Sequence, residues 1–116
     1  MGHYQELSQE EWNNHTKYQQ IMMIGTDLSK AKARIMETTF NEARQFYFRA
    51  IELVDLLIND PKWRSGIKEV LRFKEELAKG ALFLCDNLYF NVELIRILYT
   101  WNSETLAIGI SSVSKL

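Results

Sequence analysis

The stretch Phe40–Pro61, FNEARQFYFRAIELVDLLINDP, decides how this chain folds. Ala43, Phe46, Tyr47, Ala50, Ile51, Val54, Leu57 and Ile58 recur at three- and four-residue intervals, which lays a wide apolar stripe along an α-helix. Asn59-Asp60-Pro61 ends it and opens the next helix, with Asp60 as N-cap and Pro61 at the first position. Inside the stripe stand three rings in a row, Phe46-Tyr47-Phe48. Consecutive helical residues point about 100° apart, so three cannot share one face. Phe46 and Ala50 are assigned to the core, which pushes Tyr47 or Phe48 toward an edge. Similar all-round apolar runs occur at Ile21–Ile24, Leu82-Phe83-Leu84 and Leu88-Tyr89-Phe90.

Toward the N-terminus, Ser8 and Glu11 have capping-box spacing and open a helix expected to reach about Ile24, with Trp12, Ile21 and Ile24 inward. Gly25-Thr26-Asp27 either breaks or bends it, since Leu28, Ala31 and Ile35 continue the spacing. Thr39 and Glu42 offer a second capping box. Unbroken from Gln9 to Asn59, one helix would be about 75 Å long. A domain of this length has a radius of gyration near 13 Å, so at least one break is expected. Past Pro61, a third major helix points Trp63, Ile67, Val70, Leu71, Leu77 and Ala78 inward and stops near Gly80. Asp86-Asn87 caps a last helix using Leu94, Ile95, Leu98, Trp101 and Leu106 before Gly109. One proline and few glycines leave little turn chemistry for strands. The fold class is therefore all-α: an antiparallel up-down bundle of four to five helices over residues 8–109, with a flexible N-terminus at 1–7 and a loose tail at 110–116.

The chain has 116 residues, 47% hydrophobic and 25% charged, which suits one folded domain and is too apolar for disorder. A net charge of −1 removes any whole-molecule attraction to nucleic acid or acidic membranes. The most apolar stretch, Ala81–Trp101, contains Asp86, Glu93 and Arg96, and charged groups at a bilayer centre cost about 2.5–3.5 kcal/mol each. No signal-peptide layout opens the chain, and the single Cys85 reads as a buried reduced thiol. A cytoplasmic protein with no membrane partner is the expectation.

Catalytic chemistry is hard to assemble from these residues. His3 and His15 are the only histidines, and Glu11 precedes His15 by four residues rather than the three of a bundle metal motif. Cys85 has no histidine partner in view, and adjacent carboxylates such as Glu10-Glu11 and Glu75-Glu76 splay apart on a helix. No enzyme activity, cofactor or metal is expected. The helix after Pro61 is basic, with six cations against Glu69, Glu75 and Glu76. Arg64, Lys68 and Arg72 repeat every four residues, either as a docking ridge for phosphate or an acidic partner or as a solvated face with Arg72 paired to a neighbouring glutamate.

The surplus apolar residues carry the functional reading. Tyr47 and Phe48 need cover, and Met22-Met23 supplies the adaptable side chains that suit apolar partners. A groove so lined binds an amphipathic helix. Asp27–Ile35, Arg49–Leu57, Val70-Leu71-Arg72-Phe73 and the closing Leu98-Tyr99-Thr100-Trp101 together resemble the flagellin-export chaperones, small FliS-type helical bundles. The resemblance spans about two-thirds of the chain by pattern. It departs at Leu82–Phe90, which fills the place of a tyrosine-rich helix start. It implies a cytosolic chaperone that wraps the C-terminal helices of flagellin, with Met22, Met23, Ile35, Phe46 and Ile51 as the groove lining. The alternatives are a structural homodimer or assembly subunit, in which the surplus rings meet their copies, and a nucleic-acid accessory protein using Arg64, Lys68 and Arg72.

Overall fold

Side-chain caps fix where the helices begin. In the computed structural model, which describes residues 7–107, Ser8 Oγ accepts the Glu11 N–H at 3.0 Å and the Glu11 carboxylate accepts the Ser8 N–H at 3.1 Å. This box opens α1 (Gln9–Asn13). The helix does not reach Ile24 as expected, because Thr16 and Gln19 form a second box, with bonds of 2.9 and 3.1 Å, and start α2 (Lys17–Met36). α2 then runs through Gly25-Thr26-Asp27 without a break. Gly25 is there for close approach: a Cβ on it would lie 2.7 Å from Tyr99 Oη and 2.8 Å from Tyr99 Cε1.

The α2 terminus turns on Thr38, in the left-handed region at φ 61°. Thr39 precedes α3 (Phe40–Ile58), but the expected Thr39–Glu42 box is absent, since the Thr39 hydroxyl donates to the Arg34 carbonyl at 3.1 Å. Asp60 caps as expected, accepting the Lys62 N–H at 2.9 Å. The turn that follows is a 3₁₀ helix, Pro61–Gly66, before α4 (Ile67–Phe83) takes over and passes Gly80. Asn87 Oδ1 accepts the Phe90 N–H at 2.9 Å and starts α5 (Leu88–Tyr99). One more helical turn covers residues 103–107, held by the buried Thr105 hydroxyl donating to the Tyr99 and Asn102 carbonyls.

Cross-helix pairs set the topology. Arg34 meets Glu42 while Gln20 meets Asp60, so α2 and the α3 end of the chain run antiparallel. Arg44 bonds Ala81 while Asp55 meets Lys74, which makes α3 and α4 antiparallel as well. Asn91 reaches Leu28 and Tyr99 reaches Gly25, placing α5 antiparallel to α2. The result is the expected all-α up-down bundle, with no strand among the described residues and a radius of gyration of 13.5 Å. α2 packs most extensively on α3 and α3 on α4, whereas α4 touches α5 least.

The inward faces correct several expectations. Tyr47, not Phe46, is fully buried, together with Ala43, Ala50, Leu53, Val54 and Leu57. The stripe on α3 is therefore rotated, leaving Phe46, Ile51 and Ile58 only half-buried. On α4, Phe73 is buried and Leu71 exposed; near the end, Leu106 is exposed and Trp101 half-buried. Cys85 is buried. Most of the flexible ends expected at 1–7 and 110–116 lies outside the described residues, but Leu7 packs half-buried against the core.

α1 docks firmly. Trp12 is fully buried, and the buried Gln20 side chain joins three elements. Gln20 Nε2 donates to the Trp12 carbonyl and to Asp60 Oδ2, both at 2.8 Å, while its Oε1 accepts the Trp63 indole N–H at 2.7 Å. Lys62 Nζ closes the network on Asp60 at 2.9 Å and on the Asn13 carbonyl at 2.6 Å. Burial raises the Asp60 carboxyl, but the hydrogen bonds from Gln20 and Lys62 and the Lys62 charge outweigh it, leaving the group below its ordinary value.

Candidate functional site

The residues singled out from sequence do not line one groove. Tyr47 and Ile35 belong to the core and are closed to a partner. Tyr47 Oη accepts from Asn91 Nδ2 at 3.2 Å; burial raises its pKa, which that bond only partly offsets. Phe46 is half-buried beneath cations, with Arg49 at 5.1 Å, Lys30 at 5.9 Å and Arg34 at 6.0 Å from its ring centre. Phe48 is exposed two residues along, hence on nearly the opposite side of α3. Met22, Met23 and Ile51 are half-buried, with Met23 and Ile51 packed against the core.

The basic ridge is also altered. Arg64 lies in the 3₁₀ turn, whose three residues per turn take it out of α-helical register with Lys68 and Arg72. All three are exposed, and Arg72 makes no ion pair with Glu69, Glu75 or Glu76 among the described residues. Lys62, Lys74 and Lys79 are each engaged, by Asp60, Asp55 and Glu76 respectively.

A groove does open where α4 and α5 touch least. Its volume is about 330 Å³. Phe73 and Leu94 are its buried floor, Phe90 and Trp101 stand half-buried, and Ile97 is exposed. Glu69, Arg72 and Glu76 form the α4 lip and Glu93 the α5 lip. The helical lining runs from Glu69 to Glu76 on α4 and from Phe90 to Ile97 on α5, so the groove is about 10 Å long at 1.5 Å per helical residue, with Trp101 closing it past the end of α5.

Aromatic rings brace one end. Phe73 and Trp101 pack edge to face with ring centres 5.0 Å apart, the Trp63 and Trp101 ring centres are 5.8 Å apart, and Lys17 Nζ lies 4.9 Å from the centre of the Trp63 ring. At the other end, Gly80 admits close approach: a Cβ there would lie 3.0 Å from Tyr47 and 3.2 Å from Phe90. A second hollow of about 240 Å³ shares Glu69 and Trp101 and continues past Trp63 and Val70. The lips are held by local pairs. Arg96 donates to Glu93 at 2.8 Å and holds its carboxyl below the ordinary value, and Lys79 pairs with Glu76 at 3.2 Å.

This is chemistry for burying an apolar surface between charged edges. Sequence reading placed Leu94 and Trp101 inward but passed over Phe73 and Ile97. The usable signal was the 4-3-4 spacing of Phe90, Leu94, Ile97 and Trp101, a strip offset from the buried Asn91-Leu94-Leu98 face. Among the described residues, no helix is long and apolar enough to cross a membrane, and no three His, Cys, Asp or Glu side chains converge as metal ligands. Comparison of the chain with protein-family models, curated proteins and solved structures finds no match.

Proposed function

We propose that this is a non-enzymatic binding protein that seats one amphipathic helical segment of a protein partner between α4 and α5. The observation that carries the reading is the apolar-floored, charge-lipped groove at the sparsest seam of the bundle. About 10 Å is room for two helical turns, so the partner presents apolar residues at i, i+3 or i+4, and i+7. Each 100 Å² of apolar surface covered contributes about 2.5 kcal/mol before ordering costs. The protein then acts as a chaperone or adaptor inside the cell. Its resemblance to flagellin-export chaperones names the C-terminal helices of flagellin as one client to try.

The test is titration of two probes, a designed amphipathic peptide with Lys-flanked apolar positions and a peptide spanning the C-terminal helix of flagellin, read by tryptophan fluorescence. Trp101 lies in the groove, so binding shifts its emission. Ile97→Asp weakens binding at least tenfold with helicity unchanged, and Met23→Asp, on α2 and outside the groove lining, leaves it within twofold. Equal binding by wild type and Ile97→Asp would remove the groove from the account. Binding of the designed peptide alone would keep the groove and discard the flagellin client.

A further inference from the structure

We infer that the protein has a second interaction surface, the end of the bundle formed by the α4–α5 turn, and that its occupant is a second copy of the chain. The up-down topology brings the end of α2, the start of α3, the end of α4 and the start of α5 together. There the exposed apolar side chains gather: Phe83 is 77% exposed, Tyr89 76%, Met36 65% and Leu82 57%, with Leu88 and Phe40 beside them. Arg44, one turn past Phe40, ties this end together, donating to the Ala81 carbonyl at 2.7 Å and reaching Cys85 Sγ at 3.5 Å.

Three features select the occupant. Summed over the α2–α3 side (Met36, Phe40) and the α4–α5 side (Leu82, Phe83, Leu88, Tyr89), the six side chains expose roughly 700 Å², near the ~800 Å² per partner of a standard interface. Charge is scarce on the α4–α5 side, where from Ala81 to Asn91 the only formally charged residue is Asp86 and the aromatics Phe83 and Tyr89 are exposed; on the α2–α3 side Glu37 and Glu42 flank Met36 and Phe40. Interface cores have the composition of the α4–α5 side. Phe83 and Tyr89 stand about three-quarters exposed and line none of the α4–α5 groove, so they project from the turn. A projecting apolar patch is suited to meeting its own copy across a two-fold axis. This surface is separate from the α4–α5 groove and does not rest on it.

Sedimentation equilibrium of the full chain across micromolar to submillimolar concentrations tests the inference. The wild type is a reversible dimer, twice the 13.7 kDa chain mass. The double variant Phe83→Glu, Tyr89→Glu raises the dissociation constant at least tenfold with unchanged helicity and unfolding, because both side chains already face water. Ile97→Asp leaves the dimer intact. A wild type monomeric throughout, a double variant still dimeric, or a dimer lost in Ile97→Asp would each overturn the inference. So would a monomer that sediments with phosphatidylcholine–phosphatidylglycerol vesicles, which would make this end a membrane contact.

Discussion

Replacing Gln20 with methionine keeps the volume of the side chain and deletes three buried hydrogen bonds at once. Gln20 bonds the Trp12 carbonyl, Asp60 Oδ2 and the Trp63 indole N–H at 2.7–2.8 Å. The indole N–H has no replacement partner in place, and Asp60 keeps only Lys62. The Trp12 carbonyl keeps the His15 N–H, so the loss is one stranded indole N–H (about 1–3 kcal/mol) and one bond to the Asp60 carboxylate (about 1.5–3 kcal/mol), together about 3–5 kcal/mol. A domain of this size has about 6–17 kcal/mol in total, and the loss lowers Tm by about 12–20 °C. Urea unfolding followed by circular dichroism and tryptophan emission measures it, with an unchanged m-value.

The same substitution has a signature in acid. Asp60's folded pKa lies below its unfolded value, so the stabilisation is fully present above the unfolded value, near pH 4. It is lost as pH falls toward the folded value. Gln20→Met removes one of the bonds holding that pKa down, so the acid limb of stability against pH becomes shallower. A loss under about 1 kcal/mol with an unchanged acid limb would refute the network's role.

Gly25→Ala improves helix propensity by about 1 kcal/mol but sets a methyl group against Tyr99, where overpacking costs about 1–3 kcal/mol. The expected net effect in urea unfolding is a loss of about 1 kcal/mol, and a net gain would show that Tyr99 moves freely aside. Tyr47→Phe deletes one acceptor of the buried Asn91 amide, which keeps its bond to the Leu28 carbonyl, and is expected to cost about 1 kcal/mol. In wild type, burial holds the Tyr47 hydroxyl neutral above its ordinary range. Burial raises Tyr99 as well, so alkaline difference spectra should show two late-titrating tyrosines, of which Tyr47→Phe removes one.

Local signals carried most of the fold. Ser8, Asp60 and Asn87 are caps that can be read from residue type and spacing alone, because a cap needs only its own first turn. Thr16 and Gln19 have the same spacing as Ser8 and Glu11, yet the break they make was hidden by the continuing apolar rhythm from Trp12 to Ile24. Whether Gly25 breaks or bends the helix stayed open in the sequence because the tyrosine that requires it arrives from α5, 74 positions later. Phe46 and Tyr47 could not be ordered from sequence for a similar reason. Both fit an apolar stripe, and cations on Phe46 from α2 and α3, with Asn91 on Tyr47 from α5, are contacts made only after assembly. The groove was the least legible part. It depends on how far apart α4 and α5 stand, which the aromatic wedge of Phe73, Trp101 and Trp63 sets in three dimensions.

Entry of a helix between α4 and α5, as proposed, would leave a residue-level signature. Amide chemical-shift mapping on addition of the designed amphipathic peptide tests it most directly. Perturbations are expected to be confined to Glu69–Glu76, Phe90–Trp101 and the Trp63 and Trp101 indole N–H signals. Shifts centred instead on Met22, Met23, Phe46 and Ile51, across α2 and α3, would contradict the proposal.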